Sequence, residues 1–78
     1  MDYASFKLNL KAFGLDTKAT EDAVLISHNQ EQVGKVFLDR THKFTIDTTP
    51  LATDQASRLL NNIWLFTATP VGLRGAIR

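Results

Sequence analysis

Apolar and polar residues alternate along much of this chain, and the period of that alternation changes once. Ala4, Phe6, Leu8, Leu10 and Ala12 interleave with Ser5, Lys7, Asn9 and Lys11. A period of two predicts a strand over 3–12 with one wet face. Phe13 to Thr20 breaks the pattern with Gly14 and small polar residues, which predicts a loop; Phe13 and Leu15 would fold back over the end of the core. Ala23 to Ser27 is a short branched apolar run, too short for a helix and suited to a buried strand. Val33 to Leu38 predicts a third strand, with Gly34 marking a bulge or a close backbone approach. Lys43 to Asp47 alternates again, with Phe44 and Ile46 inward, so 33–47 reads as a hairpin.

After Thr48-Thr49-Pro50 the period becomes helical. Proline cannot donate to a sheet ladder and biases the residue before it away from helix. Thr53 or Asp54 is placed to cap a helix, with Asp54 also favourable at the positive end of its dipole; the alternative start has Thr49 as cap and Pro50 first in the helix. Phe66, Leu59, Ile63, Ala56, Thr67, Leu60 and Trp64 fall on an arc of about 160°. Leu65 lies among the polar residues, nearly opposite Ala56. Pro70 ends the helix near Ala68, and the tail 69–78 would either fray or dock through Val71, Leu73 and Ile77. These elements predict a single α+β domain over 1–78: a four-stranded antiparallel meander over about 3–47, packed against one C-terminal helix over about 53–68.

Composition changes this picture little. At 78 residues there is room for one core, and a domain of that size is marginally stable. An apolar content of 44% with a net charge of +1 argues against disorder. The absence of cysteine excludes disulfides and thiolate metal sites and favours a cytoplasmic location. The longest apolar runs, Ala23 to Ile26 and Ile63 to Phe66, fall far short of a membrane span. Charge is uneven, however: residues 55–78 carry Arg58, Arg74 and Arg78 and no acid.

Candidate chemistry is sparse. His28 and His42 fall in separate predicted turns without the convergent spacing of a metal site. Asp39, His42 and Asp47 would make a poor oxygen/nitrogen set. Ser5, Ser27 and Ser57 lack a nucleophile-elbow context, and Gly14, Gly34, Gly72 and Gly75 form no phosphate-binding loop. No catalytic, cofactor or metal residue is therefore assigned. Two surfaces carry functional expectations. Trp64 at the rim of the helical arc, with Leu65, Val71, Leu73 and Arg74, forms a candidate protein interface, because aromatic residues and arginine are enriched at interfaces. Lys7, Lys11, Lys43, Arg58 and Arg74 are candidate nucleic-acid contacts, with Tyr3 and Phe37 available for stacking.

The segment Ile63-Trp64-Leu65-Phe66-Thr67-Ala68-Thr69-Pro70-Val71-Gly72-Leu73-Arg74 resembles the closing segment of small uncharacterised phage and prophage proteins of low-GC Gram-positive bacteria. Ala68, Thr69, Pro70, Val71 and Arg74 match that pattern, whereas Gly72 and Leu73 stand where charged residues are usual. The strand-rich lead-in, Phe44-Thr45-Ile46-Asp47, is also similar. The resemblance implies a phage-encoded accessory protein, with no catalytic residues to carry over. The expected function is a non-enzymatic protein-interaction module, with an unidentified protein or a second copy as partner and no membrane association. The alternative is a weak nucleic-acid-binding module.

Overall fold

The computed structural model describes residues 1–75. Its elements are α1 (Tyr3–Ala12), β1 (Asp16–Ala19), β2 (Ala23–His28), β3 (Glu31–Phe37), β4 (Phe44–Ile46) and α2 (Thr53–Ala68), followed by a 3-10 turn over Val71–Leu73. The four strands form one antiparallel sheet in the order β1-β2-β3-β4. The α+β class, the meander and the C-terminal helix packed on it are those the pattern predicts. The first strand is not where the alternation placed it. Residues 3–12 are a helix, and the expected loop over 13–20 contains β1.

The physical reason lies in which apolar positions are buried. Tyr3, Phe6 and Leu10 face the core at i, i+3 and i+7, while Ala4, Leu8 and Ala12 are exposed. Period two and period 3.6 share Phe6 and Leu10, four residues apart, and the alternation borrowed the rest from alanines and a solvent-facing leucine. The segment contains no β-branched residue, and alanine and leucine are strong helix formers. Its ends are also specified. The Asp2 carboxylate accepts the Ser5 N–H at 2.9 Å, an N-cap bond. At the other end Gly14 adopts φ +88°. The Gly14 N–H then reaches the Lys11 carbonyl and the Leu15 N–H the Leu10 carbonyl, with Leu10 and Leu15 both buried. This is a Schellman ending with its hydrophobic contact, and it turns Leu15 back under the core as expected.

The β2–β3 hairpin turns at Asn29 and Gln30, with φ of +50° and +69°. Two left-handed residues make the turn whose twist suits a two-residue hairpin. Pairing shifts register after Ile26, with Ile26 opposite Gly34 but Ser27 opposite Gln32. The bulge leaves Val33 as the extra residue. Gly34 also meets the second expectation for it, a close approach: a Cβ there would lie 3.4 Å from Ile26 Cδ1 and from the Thr45 carbonyl, and 3.6 Å from Ile63 Cδ1 of α2.

α2 lies antiparallel to α1 on the same face of the sheet. Phe6 stacks on Phe66 at 4.4 Å, Tyr3 lies 6.1 Å from the same ring, and Asn9 donates to Asn62 at 3.0 Å. Leu59, Ile63, Phe66 and Thr67 are its buried residues. The N-cap is Ala52, one residue before Thr53 and two before Asp54; Thr53 opens the helix and Asp54 stands in its first turn. Ala52 has no side-chain acceptor, so of a capping box only the return bond from Gln55 is made. Its Oε1 accepts the Ala52 N–H at 3.2 Å, and its Nε2 donates to the Phe13 carbonyl at 3.1 Å, tying the start of α2 to the end of α1.

Candidate functional site

Four of the five candidate interface residues are exposed, and they do not form one surface. Trp64 is 53% exposed and Leu60, one turn before it, 49%. With Ser57 and Asn61 they line a shallow groove of about 430 Å³ along α2. The His42 ring, on the β3–β4 loop, lies 4.9 Å from the indole. This flank of α2 therefore faces away from α1, whereas Asn62, on the other flank, reaches it. Leu65 is 45% exposed, but its helical phase is about 100° from Trp64 and about 60° from Asn62, on the α1 side. Leu8 of α1 is also exposed. The expected Trp64–Leu65 pairing is thus split between two flanks. The arc that was to pack on the sheet ends before Leu60 and Trp64, and Leu60 is the residue that joins Trp64 instead.

The tail divides in the same way. Val71 and Leu73 remain exposed, the latter at 70%, so neither is the residue that docks. Ile77 lies outside the described residues, as does Arg78. Docking falls to Arg74, which is 1% exposed. Its Nε donates to the Thr69 carbonyl at 3.0 Å, Nη1 to Phe37 at 3.3 Å, and Nη2 to Arg40 and Thr67 at 3.1 Å each. The guanidinium also sits 5.1 Å from the Phe66 ring centroid. Burial pushes its pKa below the usual arginine value, yet an arginine in a protein keeps its proton. Two of the four acceptors belong to the end of α2, whose own last turn carries no basic residue. Arg74 supplies from downstream the positive charge that the helix C-terminus favours.

The same segment closes on α1. The Arg74 carbonyl accepts the Tyr3 N–H at 2.7 Å, and the terminal ammonium of Met1 donates to Thr69 Oγ1 at 2.8 Å. The Thr69-Pro70…Arg74 spacing therefore serves as a clamp joining α1, α2, the end of β3 and the β3–β4 loop. Arg74 is not available to a partner or to nucleic acid.

The remaining candidate cations are scattered. Lys7 and Lys11 stand on α1, Arg58 on α2, and Lys43 beside the end of β3, where its carbonyl accepts the Phe37 N–H. Tyr3 is buried in the core and offers no stacking face. Phe37 is half-buried on the opposite side of the sheet from the helices, since its neighbour Val36 is a core residue. His28 pairs with Glu31 at the hairpin turn, and His42 adopts φ +58° in the loop before β4. Among the described residues no three His, Asp or Glu side chains gather as metal ligands, and no helix is long and apolar enough to cross a membrane. Compared with family models, curated proteins and solved structures, the chain matches none.

Proposed function

We propose that this protein is a non-enzymatic interaction module, working through the Leu60–Trp64 flank of α2, with a second copy of the chain as the first partner to test. One observation carries the reading. Two large apolar side chains one helical turn apart, Leu60 and Trp64, stay about half exposed while Leu59, Ile63 and Phe66 of the same helix are fully buried, and they line a groove. Tryptophan is the residue type most enriched among interface anchors. The flank is also well supported from beneath: Ile63, Phe66 and Thr67 are buried, and the Thr67 carbonyl is held by both His42 N–H and Arg74. A rigid platform loses less entropy on binding than a mobile one. A phage-encoded accessory role, suggested by the resemblance of the closing segment, and a cytoplasmic location fit such a module and belong to the same proposal.

Sedimentation velocity from micromolar to millimolar concentration tests the first partner. The wild type should shift from monomer to dimer, and Leu60→Asp should stay monomeric with an unchanged far-UV spectrum. A monomer at every concentration removes the second copy. If a photo-crosslinker at position 60 then also yields no adduct in cell extract, the interaction reading is wrong.

A further inference from the structure

The sheet face turned away from the helices carries a second surface. Register places Lys18, Leu25, Lys35 and Thr45 in one row across all four strands. The next row sets Phe37 opposite Ala23 and beside Lys43. The Lys35 and Lys43 ammoniums lie 4.9 and 4.5 Å from the centroid of the Phe37 ring. Among the described residues none of the three lysines has a carboxylate within 4.0 Å, because the one ion pair there is Arg40–Asp39. On the same face Asp16 stands one row away, opposite Ser27, and the Asp47 carboxylate is occupied by Thr49 at the far end of β4. The centre of the face is therefore cationic around one aromatic ring.

We infer that this open face binds single-stranded nucleic acid, with Lys18, Lys35 and Lys43 contacting phosphates and Phe37 stacking a base. Charge complementarity selects a polyanion, and the ring between the charges selects one that carries bases. The rows give the spacing: Lys18 and Lys35 are separated by the β2 strand, about 10 Å at the usual strand separation. An extended strand can cross such a distance, whereas the flat sheet offers no element to enter a duplex groove. The ammoniums now over Phe37 hold it by exposed cation–π contacts worth only about 0.5–1 kcal/mol. They can leave the ring for phosphates as a base arrives. This set shares only Lys43 with the cations singled out by sequence, because Lys7 and Lys11 belong to a helix on the other layer.

Fluorescence anisotropy with a fluorescein-labelled oligothymidylate tests the inference. Three phosphate contacts predict a slope of log affinity against log salt of about −2, and Lys35→Gln or Lys43→Gln should each flatten it by about 0.7. Phe37→Leu should weaken binding about tenfold and leave the slope unchanged. Duplex DNA of the same length and inorganic polyphosphate should compete poorly. The inference is overturned by an absence of binding at low salt. It is equally overturned if Lys7→Gln and Lys11→Gln weaken binding as much as the sheet lysines do, or if Phe37→Leu, still folded by circular dichroism, binds like the wild type. If Phe37→Leu fails to fold, the contrast between the two lysine pairs decides alone.

Discussion

Replacing Arg74 tests whether the C-terminal clamp holds the domain closed. Alanine would withdraw donors from the carbonyls of Phe37, Arg40, Thr67 and Thr69. Thr67 keeps the His42 N–H at 2.9 Å, so the cost falls on the other three carbonyls. An orphaned buried acceptor costs about 1–3 kcal/mol. Arg40 is exposed and Thr69 half-buried, so water recovers part of that for two of the three. Loss of the guanidinium over Phe66 adds about 1 kcal/mol. Against this, alanine relieves a buried cation that has no carboxylate partner among the described residues, and for a weakly hydrated, hydrogen-bonded guanidinium such relief is worth about 2 kcal/mol. The balance is a loss of about 3 kcal/mol. For a domain of this length total stability is about 4–12 kcal/mol. The melting temperature should fall by about 12–24 °C.

Urea titration followed by far-UV circular dichroism reads the loss. Arg74→Met separates hydrogen bonding from shape, because it keeps an unbranched apolar stem while orphaning the same carbonyls. It should lose nearly as much as alanine. Arg74→Lys keeps the charge without the planar fork and should fall between. An alanine variant within about 0.5 kcal/mol of wild type, or a methionine variant equal to it, would refute the clamp.

Three further predictions follow from the local geometry. The Asp2 carboxylate is held below its usual pKa by the Ser5 N–H and hydroxyl, and that of Asp47 by the Thr49 hydroxyl and N–H. A carboxylate with a depressed folded pKa stabilises above its unfolded value, here 3.8, and loses that contribution as pH falls through the folded value. Stability should therefore decline below about pH 4, and Asp2→Asn should flatten the decline while keeping the cap, as thermal melts across pH would show. Gly14→Ala should destabilise by about 1–2 kcal/mol in urea titration, through its φ of +88° alone, since a Cβ there meets nothing closer than Gln55 Nε2 at 3.7 Å. Ile63→Ala should lose about 2–5 kcal/mol by the same assay, the cost of a cavity between α2 and Gly34.

The residues also explain what could be read in advance. α2 was legible because Leu59, Ile63 and Phe66 keep one period and Pro70 stops it. α1 reads as a strand because its two strongest apolar positions fit both periods, while the decisive signals, Asp2 as a cap, Gly14 as a left-handed ending and the lack of β-branched residues, lie outside the alternation. β1 was hidden because only Thr17 and Ala19 of Asp16–Ala19 turn inward, and neither is strongly apolar. Trp64 could be picked out at the rim of an arc, but Leu60 could not be told from a core residue without knowing where the sheet ends beneath α2. The role of Arg74 was invisible for another reason: two of its acceptors, Phe37 and Arg40, lie 37 and 34 residues away in sequence. Backbone carbonyls leave no trace in residue type.

Photo-crosslinking from single positions on each face shows whether the Leu60–Trp64 flank is a contact surface. A benzophenone side chain would be placed at position 60 on α2, at 8 on α1 and at 45 on the open sheet. With purified protein at high concentration and with cell extract, position 60 should give a discrete adduct. That adduct should be lost with Trp64→Asp, and the other two positions should give none of the same mass. Equal yields from all three positions, or none from position 60, would contradict a contact surface there.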